Sequence, residues 1–286
     1  MVEWREYPLP ENGRHGRTRV TLRAARGVWS AALRNARDLL VALPPSYAEG
    51  GRYPVLYMQD GQNLFDPATS HAGDWGLLAQ LDRLADRGVE AIVVGIPNAG
   101  RGRRYEYSPF RDPVQGGGGG DRYLAFLTGT VKPLVDASFR TLPARGHTII
   151  AGSSLGGLIS LYALWRHAGV FGAAGVLSPA LWYAGRAVLR YVERTAPQAT
   201  GRVYLDVGAA EGDGTLADAR ALRDILVGAG YAERGELRYL EDGSGEHHEA
   251  DWGRRFGEAV PFLIGAGELG SSGAGETAIP PGPPAP

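Results

Sequence analysis

The stretch HTIIAGSSLGGLISLYALWR, residues 147–166, decides the fold. Its first part, TIIAG, is a short apolar run that reads as a buried strand, and LGGLISLYALW reads as a helix. Two serines lie at the junction. The pattern Gly-x-Ser-x-Gly requires glycine two places before and two places after the serine, because a sharp strand-to-helix turn brings neighbouring backbone too close for side chains. Ser154 meets this with Gly152 and Gly156, whereas Ser153 is flanked at those places by Ala151 and Leu155. In a chain with 43 glycines the pentapeptide alone is a weak signal, and the strand before it and the helix after it give it weight. Such a turn lifts the Ser154 hydroxyl above the carboxyl end of a sheet, where ligands bind in open α/β folds. Ser153 is then a structural hydroxyl beside it.

Outward from this junction, apolar strands alternate with helical patterns. DLLVALPPSY reads as a strand stopped by Pro44 and Pro45, YPVLYMQDGQ as a buried strand ending at Gly61, and EAIVVGIPNAG as another. FGAAGVLSP, RVYLDVG and ELRYLEDG follow as strands. Helices are expected in WGLLAQLDRLADRG, with Asp74 as N-cap and Gly88 as stop, in RYLAFLTGTVKPLVDASF, where Pro133 marks a start or a kink, and in AGRAVLRYVERTA, ADARALRDILVGAG and EADWGRRFGEAVPFLIG. Near-continuous apolar strands alternating with helices predict a mainly parallel central sheet with helices on both faces. GGGGGD, residues 116–121, is expected to be a flexible loop. No internal repeat or boundary interrupts the pattern, so residues 1–265 are expected to form one domain, and the Gly/Pro-rich residues 266–286 a disordered tail.

Composition narrows the function. The chain has 286 residues, 44% hydrophobic and 21% charged, with a formal net charge of -1. A near-neutral chain has no basic face for nucleic acid or an anionic membrane, and no run is long enough to span a bilayer. Lys132 is the only lysine, so the arginines reflect codon usage rather than phosphate recognition. The absence of cysteine excludes disulfides, thiolate metal sites and a cysteine nucleophile. Together with an N-terminus, MVEWREYPLP, that lacks signal-peptide features, it points to the cytoplasm.

A serine hydroxyl needs a base, and the base needs an orienting group. Among the histidines, His15 lies in a polar N-terminal stretch, His147 and His167 fall at the far ends of the strand and helix, and His71 precedes Trp75 in a loop. His247 and His248 occupy EDGSGEHHEADW, a polar loop after the last strand, from which an imidazole can reach the sheet edge. The acid belongs after RVYLDVG, where Glu211 and Asp213 are candidates; Asp206, inside the strand, is expected to be a buried structural acid paired with a loop amide or an arginine. The order Ser, acid, His is that of α/β hydrolases.

With these residues in place, the sequence resembles the esterases related to esterase D and enterochelin esterase, within the α/β-hydrolase superfamily. The resemblance runs from about Asn35 to Ile264 and rests on YPVLYMQDGQNLFD, VGIPNAG with RRYEYSP, ASFRTL, AGSSLGGLISLYA, LSPALW, YLDVG with Glu211, and HHEADW. It implies Ser154 as nucleophile, His247 rather than His248 as base, and Glu211 rather than Asp213 as acid, although many relatives carry Asp at that place. It also implies an oxyanion hole from the backbone N–H groups of Leu155 and Gln62, and Gly61 supports this by letting the chain turn with its amides unpaired.

The implied activity is hydrolysis of a small-molecule carboxylic ester (small acyl, aryl or siderophore) through an acyl-enzyme without a cofactor. An acyltransferase using the same triad, and a non-catalytic binding module on the scaffold, are the alternatives. Trp75 and Trp182, at loops beside predicted strand ends, are candidates for an acyl or aryl pocket, with a core or rim role as the alternative. Arg104, with Arg101, Arg103, Tyr105 and Tyr107, is a candidate for recognising an acidic or phenolic substrate. The HHE segment with Asp251 lacks a second cluster at ligand spacing, so no metal site is expected.

Overall fold

The computed structural model describes residues 2–8, 18–70, 73–196, 201–233 and 235–265. The expected disordered tail, His15 and His71 lie outside them. Among the described residues the strands are β1 (Trp4–Glu6), β2 (Thr21–Ser30), β3 (Asn35–Leu43), β4 (Val55–Gln59), β5 (Ile92–Ile96), a short ribbon of β6 (Arg111–Asp112) and β7 (Gly116–Gly117), then β8 (Thr148–Ser153), β9 (Ala173–Leu177), β10 (Arg202–Gly208) and β11 (Leu237–Asp242). The helices are α1 (Leu77–Ala85), α2 (Arg103–Tyr107), α3 (Gly120–Phe126), α4 (Lys132–Ser138), α5 (Leu155–Arg166), α6 (Tyr183–Thr195), α7 (Asp213–Gly228) and α8 (Glu249–Leu263).

All strands but the ribbon form one nine-stranded sheet in the order β1-β2-β3-β5-β4-β8-β9-β10-β11. From β5 to β11 neighbours run parallel, while β1, β2 and β3 extend the sheet antiparallel beyond β5. This is the α/β-hydrolase architecture, with helices on both faces. Alternate residues of each central strand feed two cores: Val55 and Tyr57 of β4 join one, Leu56 and Met58 the other. Burial on both faces is why these strands read as unbroken apolar runs. Trp252, Phe256, Val260 and Leu263 of α8 pack with Leu77, Leu78, Leu81 and Leu84 of α1 on one face. Residues of α3 to α7 cover the other. Helix α5 is buried at every residue from Leu155 to Trp165, which is why it carries no polar stripe.

Several local expectations are corrected. Strand β2 is not among the expected strands: its burial alternates, its register shifts between Ala25 and Val28, and its arginines face outward. Helix α1 is capped by Gly76 at φ 60, not by Asp74. Pro133, by contrast, does mark a start: it is the second residue of α4, and the wide π turn over Leu127–Val131 that precedes it relieves the clash its ring would make in a continuous α-helix. The glycine run is not a loose flap. Backbone N–H groups of Gly118 and Gly120 donate to Ser108 O at 2.8 and 3.2 Å, Gly119 N–H donates to Tyr105 O at 2.9 Å, and a side chain at Gly119 would enter the Tyr105 ring.

Candidate active site

Strands β4, β8, β9 and β10 end side by side, so the turns that follow them share one edge of the sheet. After β8, Ser154 takes φ 56 and ψ -122, a conformation that costs a non-glycine residue about 1–3 kcal/mol. Its N–H donates to Leu177 O at 3.0 Å and its carbonyl accepts from Ala180 N–H at 3.0 Å, so the segment after β9 holds the strained residue on both sides. The glycine spacing has a direct cause: a Cβ at Gly152 would lie 2.7 Å from Gln59 Cγ, and one at Gly156 would lie 2.9 Å from Gln59 Cβ. Ser153 is buried, as expected of a structural residue.

After β4 the chain turns at Asp60, whose φ is 53. Asn63 N–H closes the turn on Asp60 O at 2.9 Å. A Cβ on Gly61 would meet Gly95 C at 2.5 Å, so only glycine lets the turn lie against the end of β5. Among the described residues no acceptor takes the N–H of Gln62 or of Leu155. The turn is braced from beneath. Arg103 clamps Asp60 with Nε on Oδ1 at 2.8 Å and Nη2 on Oδ2 at 2.7 Å, and Tyr107 OH receives the Asp60 N–H at 3.0 Å. Arg103 is thereby committed to the turn rather than to a ligand, while Gln62 Oε1 accepts from Asn98 N–H at 3.1 Å.

Beyond β10, Glu211 turns back under the loop that follows β11. Its Oε2 lies 2.7 Å from His247 Nδ1, and its Oε1 accepts from Ser178 Oγ at 2.5 Å and from Gly208 N–H at 2.8 Å. Burial opposes its charge, but these bonds outweigh burial and hold the carboxyl below its ordinary range. His248 does something else: it caps α8, with Nδ1 accepting Ala250 N–H at 3.2 Å. Asp213 stands exposed in the first turn of α7. The structure thus brings Glu211 and His247 together and places Asp213 and His248 elsewhere. His147 and His167 lie at the opposite end of β8 and beyond α5. Ser154 Oγ and His247 share no hydrogen bond in this structure; the His247 side chain is 44% exposed on its loop and packs edge-on to Trp252, centroids 4.9 Å apart.

Beneath Glu211 lies a cluster that sequence reading missed. Arg255 of α8 is 1% exposed, with Nη2 donating to Ser178 Oγ at 2.7 Å, Nε 3.2 Å from Asp206 Oδ2, and Nη1 3.3 Å from Asp242 Oδ2. Trp252 Nε1 also donates to Ser178 Oγ, at 3.0 Å. Asp206 is the buried structural acid that was expected, paired with Arg255 and with the Ser178 N–H at 3.1 Å. Burial pushes its pKa up to about 7, against the pull of Arg255. The available signal was an arginine on the apolar stripe of a helix, between Trp252 and Ala259.

Of the substrate candidates, Trp75 is corrected: it is 3% exposed and packs on Trp252 and Phe256 at 5.8 and 6.4 Å, supporting the helix under His247 instead of lining a pocket. Trp182 is 47% exposed, four residues beyond Ser178. Arg104 borders a groove of about 590 Å³ with Arg101, Tyr105, Arg111 and Gln115. Among the described residues no group of histidine and carboxylate side chains could hold a metal ion, and no helix is long and apolar enough to cross a membrane.

The profile of a protein family described as "Putative esterase" matches residues 30–263. The chain belongs to this esterase family. Membership makes it a carboxylic-ester hydrolase. The esterase is similar to the uncharacterized protein YbbA of Bacillus subtilis, 27% identical over 243 residues that cover 80% of this chain and 93% of that protein. It is also similar to the siderophore triacetylfusarinine C esterase of Aspergillus fumigatus, 32% identical over 146 residues, 49% of this chain and 48% of that protein; the match spans about half of that relative. Among solved structures, the BES protein from Bacillus cereus aligns with TM-score 0.69 at 22% identity over 90% of this chain and 99% of that one. The siderophore hydrolase EstA from Aspergillus nidulans aligns with TM-score 0.66 at 21% identity over 93% and 99%. These likenesses establish the fold.

Proposed function

We propose that this esterase is a serine hydrolase in which Ser154, His247 and Glu211 act together. The observation that carries the reading is the 2.7 Å contact of His247 Nδ1 with a buried carboxylate, on the same sheet edge as a serine held in a strained turn. The carboxylate accepts a hydrogen bond from Nδ1–H, which keeps the ring hydrogen on Nδ1 and leaves the Nε2 lone pair free. In the reaction, Ser154 Oγ attacks the ester carbonyl carbon as its proton passes to Nε2, and the His247 loop closes the hydrogen bond with substrate in place. The N–H groups of Leu155 and Gln62 receive the developing oxyanion, an arrangement supported by their lack of other acceptors. Collapse expels the alcohol, which takes the proton from His247. Water, deprotonated by the same nitrogen, then cleaves the acyl-enzyme and regenerates the serine.

The substrate we infer is a small ester whose acyl or alcohol part is anionic or phenolic. Arg101, Arg104 and Arg111 border the groove beside Tyr105 without a carboxylate among them, and Trp182 offers an exposed ring for an aryl group. Siderophore esters have this chemistry, and relatives bear that name. The test is Ser154→Ala, assayed on p-nitrophenyl, aryl and siderophore esters and by fluorophosphonate labelling. Turnover and labelling should both vanish while the circular-dichroism spectrum stays unchanged. Retained turnover refutes the nucleophile.

A further inference from the structure

The hydroxyl of Ser178 stands where the two halves of the site meet. The residue directly follows Leu177, which accepts the Ser154 N–H, and lies two places before Ala180, which donates to the Ser154 carbonyl. Its side chain serves the other half: Oγ lies 2.5 Å from Glu211 Oε1, 2.7 Å from Arg255 Nη2 and 3.0 Å from Trp252 Nε1, and the residue is fully buried.

The sense of each bond follows from the chemistry of the groups. An indole N–H and a guanidinium can only donate. Between them they occupy both lone pairs of the Ser178 oxygen, so its single proton goes to Glu211. Glu211 Oε1 also takes the Gly208 N–H, so that oxygen carries no proton, and the other oxygen faces His247 Nδ1. Donation therefore runs from Arg255 through Ser178 and ends on Glu211, whose other oxygen can only accept and so specifies that Nδ1 of His247 bears the hydrogen. The backbone supplies a separate observation. Ser178 has φ 41, a left-handed conformation that glycine adopts without strain. The strained position carries a residue with a hydroxyl.

We propose that Ser178 is a positioning residue of the esterase: its hydroxyl, aimed by Arg255 and Trp252, fixes the Glu211 carboxylate and through it the tautomer and bearing of His247 toward Ser154. This rests on the Ser154–His247–Glu211 reading above.

The experiment compares Ser178→Gly and Ser178→Ala in the full chain. Glycine suits the backbone, so it isolates the hydroxyl even if the alanine variant fails to fold. In Ser178→Gly, kcat for a p-nitrophenyl ester should fall about tenfold to a hundredfold, as for loss of one hydrogen bond to a charged group, with KM unchanged. The far-downfield proton resonance of the His247 Nδ1–H, assigned by its absence from His247→Ala, should broaden or move upfield. An unmoved resonance overturns the proposal whatever the rate, because the hydroxyl then acts on something other than His247. An unchanged kcat overturns it too. Failure of the parent reading looks different: Ser154→Ala would retain turnover. A dead Ser154→Ala beside a fully active Ser178→Gly sinks only the role of Ser178.

Discussion

Replacing Glu211 by Gln tests the orientation of the base with almost no change of shape. In the native site Oε1 accepts from Ser178 and Gly208, and Oε2 faces His247. A glutamine has one oxygen and one NH2. Two donors converge on the Oε1 place, so the amide oxygen goes there and the NH2 faces His247 Nδ1. A donor at that place requires Nδ1 to become the acceptor, which puts the ring hydrogen on Nε2 and removes the lone pair needed to take the Ser154 proton. The corresponding Asp-to-Asn change in a serine protease lowers kcat by about 10⁴-fold through the same inversion. We therefore expect a loss on the order of 10⁴-fold, equivalent to about 5 kcal/mol of barrier. The assay is the initial rate of p-nitrophenyl ester hydrolysis at saturating substrate, with Glu211→Ala as companion. Alanine removes the orienting group without imposing the wrong tautomer, so it should retain more activity than glutamine. A Gln variant that keeps a tenth or more of the rate, or exceeds the Ala variant, refutes the proposed orientation.

Three further outcomes follow from the same geometry. Burial raises Asp206 to about 7 from an ordinary value of 3.8, so the folded state holds this proton more tightly and gains stability that is complete below the lower value and drains away as pH rises to the upper one. That swing is worth about 4 kcal/mol, and Asp206→Asn should flatten the fall of unfolding free energy between pH 4 and 7 in denaturant titrations; an unchanged slope contradicts it. Trp75→Ala should cost about 3–5 kcal/mol of stability with KM unaltered, whereas Trp182→Ala should raise KM with little change in thermal midpoint; the reverse pattern would mean that the rings have been assigned the wrong way round. Gly61→Ala forces a methyl group into the backbone of Gly95 and Ile96, displaces the Gln62 N–H, and should lower kcat by about 10²-fold at similar KM; wild-type kcat would remove that amide from the site.

Much of this was legible before any coordinates. The strained turn at Ser154, rather than Ser153, could be read because close packing against Gln59 leaves no room for side chains at Gly152 and Gly156, a mark at fixed spacing. The parallel strands could be read because burial on both faces leaves no polar residue in VLYM or IIAG. What stayed hidden depends on distant segments meeting. Nothing near His247 or His248 says which will face Glu211, since that depends on where α8 begins, and His248 is consumed by capping it. Trp75 could be read as pocket or core because it lies beside a loop at a predicted strand end, and what decides it is a ring contact with Trp252, far along the chain. Strand β2 escaped because an outer strand keeps arginines on its open face. The glycine run resembled a flexible loop because composition cannot reveal that Tyr105 and Ser108 supply acceptors and packing for it.

Helix α8 carries the buried arginine and the indole that converge on Ser178, begins two residues after His247, and comes so near the Trp75 carbonyl that Gly253 has no room for a side chain. Seating this one segment therefore sets Glu211, His247 and the packing against α1 in a single event. On heating, turnover should serve as a gauge of whether the C-terminal segment is home, and the catalyst should switch off with the first detachment of that segment even while the central strands are still assembled.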